Sequence, residues 1–334
     1  MSGPRLTEDE LIATCFAPLA GPGGLRLLDD AALITPPADE EIVVTTDALV
    51  AGVHFFGDDP PGAIAKKALR VNLSDLAAKG AEPLGFVISL ALAPKWEIEW
   101  LAAFAGGLGE DAHAYSCPLL GGDTVKTPGP LTLSITALGS VPKGRMAPRT
   151  GVQAGDRIYV SGTIGDAAIG LKLRLAEAAD APWRAGLGEQ DRAFLLDRFL
   201  LPQPRMALRA AMRADARAGM DVSDGLIGDL SKMLKVSGVS ATIELARVPL
   251  SPAAEAAVRA SPDLFEVAVT GGDDYEVLAS VDPEAAAAFE VQAQAAGVRV
   301  TAIGTARGGA GEPPVFLDFR GEPRQFARGS FSHF

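Results

Sequence analysis

KALRVNLSDLAAKGAEPLGFVISLAL, residues 67–92, decides the architecture. A helical pattern opens at Pro60-Pro61 and runs to about Lys79. Ala68, Asn72, Asp75 and Lys79 recur every three or four residues and share one helical face. The rest of the turn carries Leu69, Val71, Leu73, Leu76 and Ala77, so the helix is mostly buried, and a buried Asp75 requires a partner. Leu84–Leu92 then reads as an apolar strand.

Outward from there, Thr7-Glu8-Asp9-Glu10 fits a capping box and predicts a helix toward Leu19, ended by Gly21–Gly24. Glu41–Thr46 predicts a strand delivering Asp47 at its C-terminal end. Trp96 to about Ala114 predicts a helix and Leu131–Val141 a strand, while Gly121-Gly122-Asp123 reads as a glycine turn. Pro142–Gly155 is a Gly-, Pro- and Arg-rich connector, and it divides the chain into expected domains at 1–148 and 149–334. The second half restarts with a strand at 157–160, then helices to about Ala218 and a loop-to-helix junction at Asp221. Further strands are predicted at 242–245, 265–269, 276–281, 298–303 and 315–318. Strands and helices alternate without a clean βαβ repeat, so the class is mixed α/β.

Composition narrows the function. The 334 residues are 48% hydrophobic and 22% charged, enough for a large core. A net charge of −12 argues against nucleic acid or an anionic membrane as partner. Two cysteines and three histidines, scattered, make a zinc site improbable. Neither a signal peptide nor a spanning apolar run is legible, and the expected location is cytoplasmic.

The chemistry lies in nine aspartates at six places. These are Asp29-Asp30, Thr45-Thr46-Asp47, Ser74-Asp75, Gly121-Gly122-Asp123, Asp221-Val222-Ser223-Asp224-Gly225 and Gly271-Gly272-Asp273-Asp274. Taken singly, each is a solvated turn, a strand end or a helix cap. Together they are the short-armed oxygen ligands that Mg²⁺ shares with substrate phosphates. The P-loop, kinase-loop and Rossmann signatures are absent, so a nucleotide has to be held by acids and metal ions instead. Lys66, Lys67, Arg70 and Lys79 are either phosphate clamps or solvated helix charges.

These stretches, with TTDALVAGVHF (45–55), LLGGDT (119–124), GRMAPRTG (144–151), GDRIYVSGTIGDAAIGL (155–171), DVSDGLIGDL (221–230), TGGDDYEVL (270–278) and the terminal SHF (332–334), occur in one order along the chain. In that order they resemble the thiamine-monophosphate kinase family, in the superfamily of aminoimidazole ribonucleotide synthetase and selenophosphate synthetase. The resemblance implies an N-terminal α/β domain whose sheet pairs with a second subunit, and a C-terminal α/β sandwich. It implies ATP, several Mg²⁺ ions, thiamine phosphate as acceptor, and a homodimer.

Carried over by position, Asp30, Thr45, Thr46, Asp47, Asp75, Asp123, Asp221 and Asp224 match the metal ligands. Gly122, Asp123, Arg149 and Ser223 match ATP contacts, and His54, Asp273 and Phe331 match substrate contacts. The family often has Glu at Asp273 and Tyr or Trp near Phe331. Direct in-line phosphoryl transfer without a general base is the implied reaction. The rivals are another ATP-dependent synthetase of the superfamily and a non-catalytic maturation scaffold. Cys15 lacks the glycine-rich setting that selenophosphate synthesis requires.

Overall fold

The computed structural model describes residues 7–29, 31–94, 96–309, 311–327 and 329–330. Asp30 and Phe331 lie outside the described residues, as does the terminal SHF. The chain divides into two compact units: residues 1–76 with 81–144, and residues 77–80 with 145–334.

The first unit is built on four strands: β1 (Glu40–Val50), β2 (Glu82–Leu92), β3 (Leu119–Lys126) and β4 (Thr132–Pro142), in the order β1-β4-β2-β3. β4 pairs antiparallel with β1 and β2, and β2 pairs parallel with β3. The predicted helix is present as Pro61–Lys79, with Ile64, Leu69, Leu73 and Leu76 buried; so is the second, as Ile98–Ala114, burying Phe104 and Leu108. At the N-terminus the capping box forms, with the Thr7 amide on Glu10 Oε2 at 2.8 Å and the Glu10 amide on Thr7 Oγ1 at 3.3 Å. The helix it opens does not continue regularly to Leu19. It passes into a π-turn at Ile12–Phe16 and a 3₁₀ turn at Ala17–Leu19, where Pro18 cannot supply an amide.

Two expectations in this unit are corrected. β1 runs on to Val50, so Asp47 stands within the strand rather than at its end. The Gly121-Gly122-Asp123 segment is strand, not turn. Gly122 serves close approach: a Cβ there would lie 2.1 Å from the Ile88 carbonyl oxygen on β2.

The second unit holds seven strands: β5 (Arg157–Ser161), β6 (Ala216–Val222), β7 (Ser240–Glu244), β8 (Glu276–Val281), β9 (Val300–Arg307), β10 (Val315–Leu317) and β11 (Pro323–Arg324). Their order is β11-β10-β7-β9-β5-β8-β6. Alternation along β5 explains the layers. Ile158 and Val160 join a core with Leu226, Leu230, Leu278 and Ile303, whereas Tyr159 faces the other way, its ring 5.2 Å from that of Phe289 in helix Ala286–Ala295. Helices therefore cover both faces of this sheet.

Two readings fail here as well. Ala216–Val222 is β6, central to the site below, although its ARAGMDV composition continues the helical signal before it. Residues 265–269 lie in a helix, Leu264–Thr270, because a five-residue apolar run has no periodicity that separates strand from buried helix.

Candidate active site

The acids fall into two groups, one in each unit. In the first unit, strand alternation sorts them by face. Thr45 and Asp47 are half-buried on the side of Val43 and Leu49, while Thr46 is exposed on the opposite side. Thr45 Oγ1 donates to Asp75 Oδ2 at 2.5 Å. This is the partner that the half-buried Asp75 required, and it joins the strand to helix 61–79. Thr46 instead sits in a hydroxyl row: Thr136 Oγ1 donates to it at 3.0 Å, and it donates to the Ile135 carbonyl at 3.2 Å. Asp123 belongs with that outer face, because the ladder aligns it with Ser89, Ser134 and Ala48.

β1 and β3 are opposite edges of the sheet. Three interstrand spacings of about 4.8 Å put Asp47 and Asp123 roughly 14 Å apart. Among the described residues, no three acidic, histidine or cysteine side chains converge on one point.

Beside β3 lies a cavity of about 550 Å³, lined by Ile12, Phe16, Leu27, Leu120, Gly122, Asp29, Asp123 and Thr124 among others. The segments that bring Leu27, Ile12 and Phe16 to its wall are conformationally unusual. The π-turn contributes Ile12 and Phe16, and Leu25, Arg26 and Leu27 are three consecutive non-glycine residues at positive φ (48°, 63° and 55°). Such backbone is costly and collects at ligand sites. His54 follows β1; its Nδ1 accepts the Val50 amide at 3.0 Å, which leaves the proton of a neutral ring on Nε2.

The second group is built where β6 ends. Asp221 is buried within the strand, and Ser223-Asp224-Gly225 turns the chain into helix Leu226–Ser237. Asp229, in the first turn of that helix, reaches back: its Oδ2 accepts the Ser223 amide at 3.0 Å and the Asp224 amide at 2.8 Å. Its Oδ1 accepts Lys232 Nζ at 3.0 Å, and the same ammonium lies 2.6 Å from Asp224 Oδ2. Burial pushes the Asp229 carboxyl upward against these donors, whereas the bonds to Asp224 and Asp229 outweigh burial and raise Lys232. The geometry decides between the two: amides on one oxygen and an ammonium on the other are the surroundings of an ionised carboxylate. Neither Asp229 nor Lys232 emerged from the sequence, where the only signal is an acid in the first turn of a helix.

The loop 271–275 lies against this turn. The Asp273 amide donates to the Ser223 carbonyl and the Tyr275 amide to the Val222 carbonyl, both at 2.8 Å. Gly225, at φ 116°, lets the turn pass the Thr270 carbonyl, which a Cβ would meet at 2.5 Å. Asp273 and Tyr275 also hold positive φ, 72° and 51°. The density of acids in this loop has a structural cause, however. Asp274 is buried and accepts the amides of Gly165 and Ala167, at 2.7 and 3.3 Å, at the start of helix Asp166–Leu175. Burial, with Asp166 and Glu276 nearby, raises it well above the usual carboxylate range. Glu276 is bound by Ser161, Arg198 and Arg205. Of the three acids in residues 271–276, Asp273 is the one tied to the turn through its main chain, and its Oδ1 accepts the Tyr275 hydroxyl at 3.3 Å.

Arg149 stands apart from the Ser223 turn. Its carbonyl accepts Ser237 Oγ at 3.2 Å, at the far end of helix 226–237. Eleven residues at 1.5 Å per residue put that end about 17 Å from the turn.

The family model for the AIR synthase related protein N-terminal domain matches residues 28–141, and that for its C-terminal domain matches residues 153–313. The chain is 45% identical over 303 residues to a thiamine-monophosphate kinase of Caulobacter vibrioides, covering 89% of this chain and 83% of the relative. The chain belongs to the thiamine-monophosphate kinase family. Solved thiamine-monophosphate kinases share its fold. The enzyme from Stenotrophomonas maltophilia K279a aligns with a TM-score of 0.78 at 37% identity, over 89% of this chain and 91% of that one. A ThiL structure complexed with AMPPCP and TMP aligns with a TM-score of 0.76 at 29% identity, over 92% and 91%. The two-domain mixed α/β fold expected from the resemblance is thus the one found.

Proposed function

We propose that the chain transfers the γ-phosphoryl group of ATP directly to thiamine phosphate, yielding ADP and thiamine diphosphate. One observation carries this reading: the relative complexed with AMPPCP and TMP matches across 92% of the chain. In the reaction, an acceptor phosphate oxygen forms a bond to the γ-phosphorus, and the bond from that phosphorus to the β–γ bridging oxygen breaks. The acceptor oxygen is already ionised at neutral pH, so no side chain has to take a proton. Approach of two polyanions is the barrier.

Several Mg²⁺ ions would lower that barrier by neutralising and aligning the phosphates. Asp30, Thr45, Thr46, Asp47, Asp75, Asp123, Asp221 and Asp224 would hold them. The donor set fits a hard cation, since these side chains offer only oxygen and Asp224 already carries a cationic partner. Thr45 fixes the Asp75 carboxylate, and Asp229 fixes the Ser223–Asp224 main chain. Gly122, Asp123, Arg149 and Ser223 contact ATP in this reading, while His54, Asp273 and Phe331 contact the acceptor.

A homodimer through the first unit's sheet goes with it. Ile42 and Val44 on the outer face of β1 are 39% and 59% exposed, a surface that a second copy would cover. The two free cysteines are buried, and burial raises both thiols, that of Cys117 to about 12. That agrees with a cytoplasmic protein and counts against selenophosphate chemistry, which needs a reactive thiol. Among the described residues, no helix is long and apolar enough to cross a membrane.

The test is product formation from ATP, Mg²⁺ and thiamine phosphate, with thiamine as control acceptor and Asp75→Asn alongside. Thiamine diphosphate made only from the monophosphate, and lost in the variant, supports the reading. ATP consumption without thiamine diphosphate overturns the substrate, and no turnover at all favours a scaffold.

A further inference from the structure

Lys232 sits in the second turn of helix 226–237, within the candidate site yet outside every set of ligands inferred by resemblance. Its ammonium lies 2.6 Å from Asp224 Oδ2 and 3.0 Å from Asp229 Oδ1. Asp229 is the fixed post of this arrangement: its side chain is 1% exposed, and its other oxygen takes the Ser223 and Asp224 amides. One carboxylate therefore sets the main chain of the turn and also anchors the cation that holds the Asp224 side chain. Asp224 and Lys232 are both partly open, at 37% and 42% exposure, so their pairing is reversible from solvent.

We propose that Lys232 is a positioning residue that stands in for the divalent cation at Asp224 when the site is empty of nucleotide. It keeps the carboxylate aimed, offsets the like charges of Asp224 and Asp229, and sets the cation concentration at which a metal displaces it. This inference rests on Asp224 being a cation ligand, as proposed above. A half-exposed ion pair of this kind corresponds to about a fivefold change in an equilibrium constant.

The experiment is a Mn²⁺ titration of the full-length protein without nucleotide, followed by electron paramagnetic resonance. It compares wild type, Lys232→Met, Lys232→Gln, Lys232→Arg and Asp224→Asn, with circular dichroism to confirm folding. Removing the charge with either Met or Gln is expected to tighten Mn²⁺ binding about fivefold. Arg, which keeps the charge, should restore the wild-type constant, and Asp224→Asn should remove a site. Unchanged or weaker binding in the Met and Gln variants, with a site still lost in Asp224→Asn, overturns the role of Lys232 alone. An unchanged Mn²⁺ stoichiometry in Asp224→Asn overturns the ligand assignment of Asp224, and the inference with it.

Discussion

Asp229→Ala tests the claim that the Ser223–Asp224 turn is held from behind. The substitution removes an acceptor for two amides and for Lys232. Residue 229 is buried, so water cannot fully replace that acceptor. Each orphaned amide costs about 1–2 kcal/mol net, and the released lysine, half in solvent, adds less than about 1 kcal/mol. The expected loss is about 2–4 kcal/mol, near the upper end for a single substitution. At about 2–4 °C per kcal/mol for a unit of this size, the apparent Tm falls by roughly 5–15 °C. Function should fall even in the molecules that stay folded, because the amide and hydroxyl of Ser223 and the carboxylate of Asp224 lose their aim. The assays are thermal denaturation by circular dichroism and steady-state kinetics at a temperature well below the transition, with ATP varied. A rise in KM for ATP of about tenfold or more is expected, with KM for thiamine phosphate less affected. A variant whose Tm falls by no more than about 2 °C, with KM for ATP unchanged, would refute the argument that Asp229 builds the turn.

Asp274→Asn probes a buried carboxyl whose folded pKa stands above the ordinary 3.8. Such a group binds its proton more tightly when folded, so its stabilising contribution is complete below about 3.8 and is lost as pH rises through the folded value. The Asn variant should therefore flatten the decline of stability with pH above 4, as read from urea midpoints across pH 4–8. Gly122→Ala would set a methyl 2.1 Å from the Ile88 carbonyl oxygen, a backbone atom that cannot step aside. It should part β2 from β3 and cost both Tm and nucleotide binding, measured by denaturation and by calorimetry with AMPPCP. Val44→Glu puts a charge on the exposed outer face of β1 and tests the proposed homodimer: sedimentation velocity should show a dimer for the wild type and a monomer for the variant, while the folded circular dichroism spectrum persists.

Much of the fold was legible because its periodicities are strong. Helix 61–79 and strands β2, β4, β5 and β8 bury continuous or alternating apolar residues, and the sequence repeats that pattern. What escaped were segments where composition and tertiary role disagree. β6 reads as helix because alanine and arginine favour one, yet pairing with β8 overrides that preference. Gly121 and Gly122 read as a turn because glycine usually marks one, yet Gly122 is what two adjacent strands need in order to approach. In both cases the deciding atom lies on a partner strand, Ile88 for Gly122 and the β8 ladder for β6, remote in sequence.

The site divides along the same line. The sequence singles out the acids by their number beside glycine and hydroxyl residues, and their role as metal ligands is the proposal above. Their separate surroundings were not legible. Asp273 and Asp274 are adjacent and chemically identical, yet the buried one accepts the amides that start helix 166–175 and the other takes the Tyr275 hydroxyl. Thr45 and Thr46 are likewise adjacent, yet alternation sends one to Asp75 and the other to a hydroxyl row on the opposite face. A one-residue step decides the surroundings in each pair, and only burial and register reveal them. The converse holds for Asp229 and Lys232. No motif marks them, because their work is to hold other residues, and a holding residue is defined by distances of 2.6–3.0 Å to its neighbours rather than by its own place in the chain.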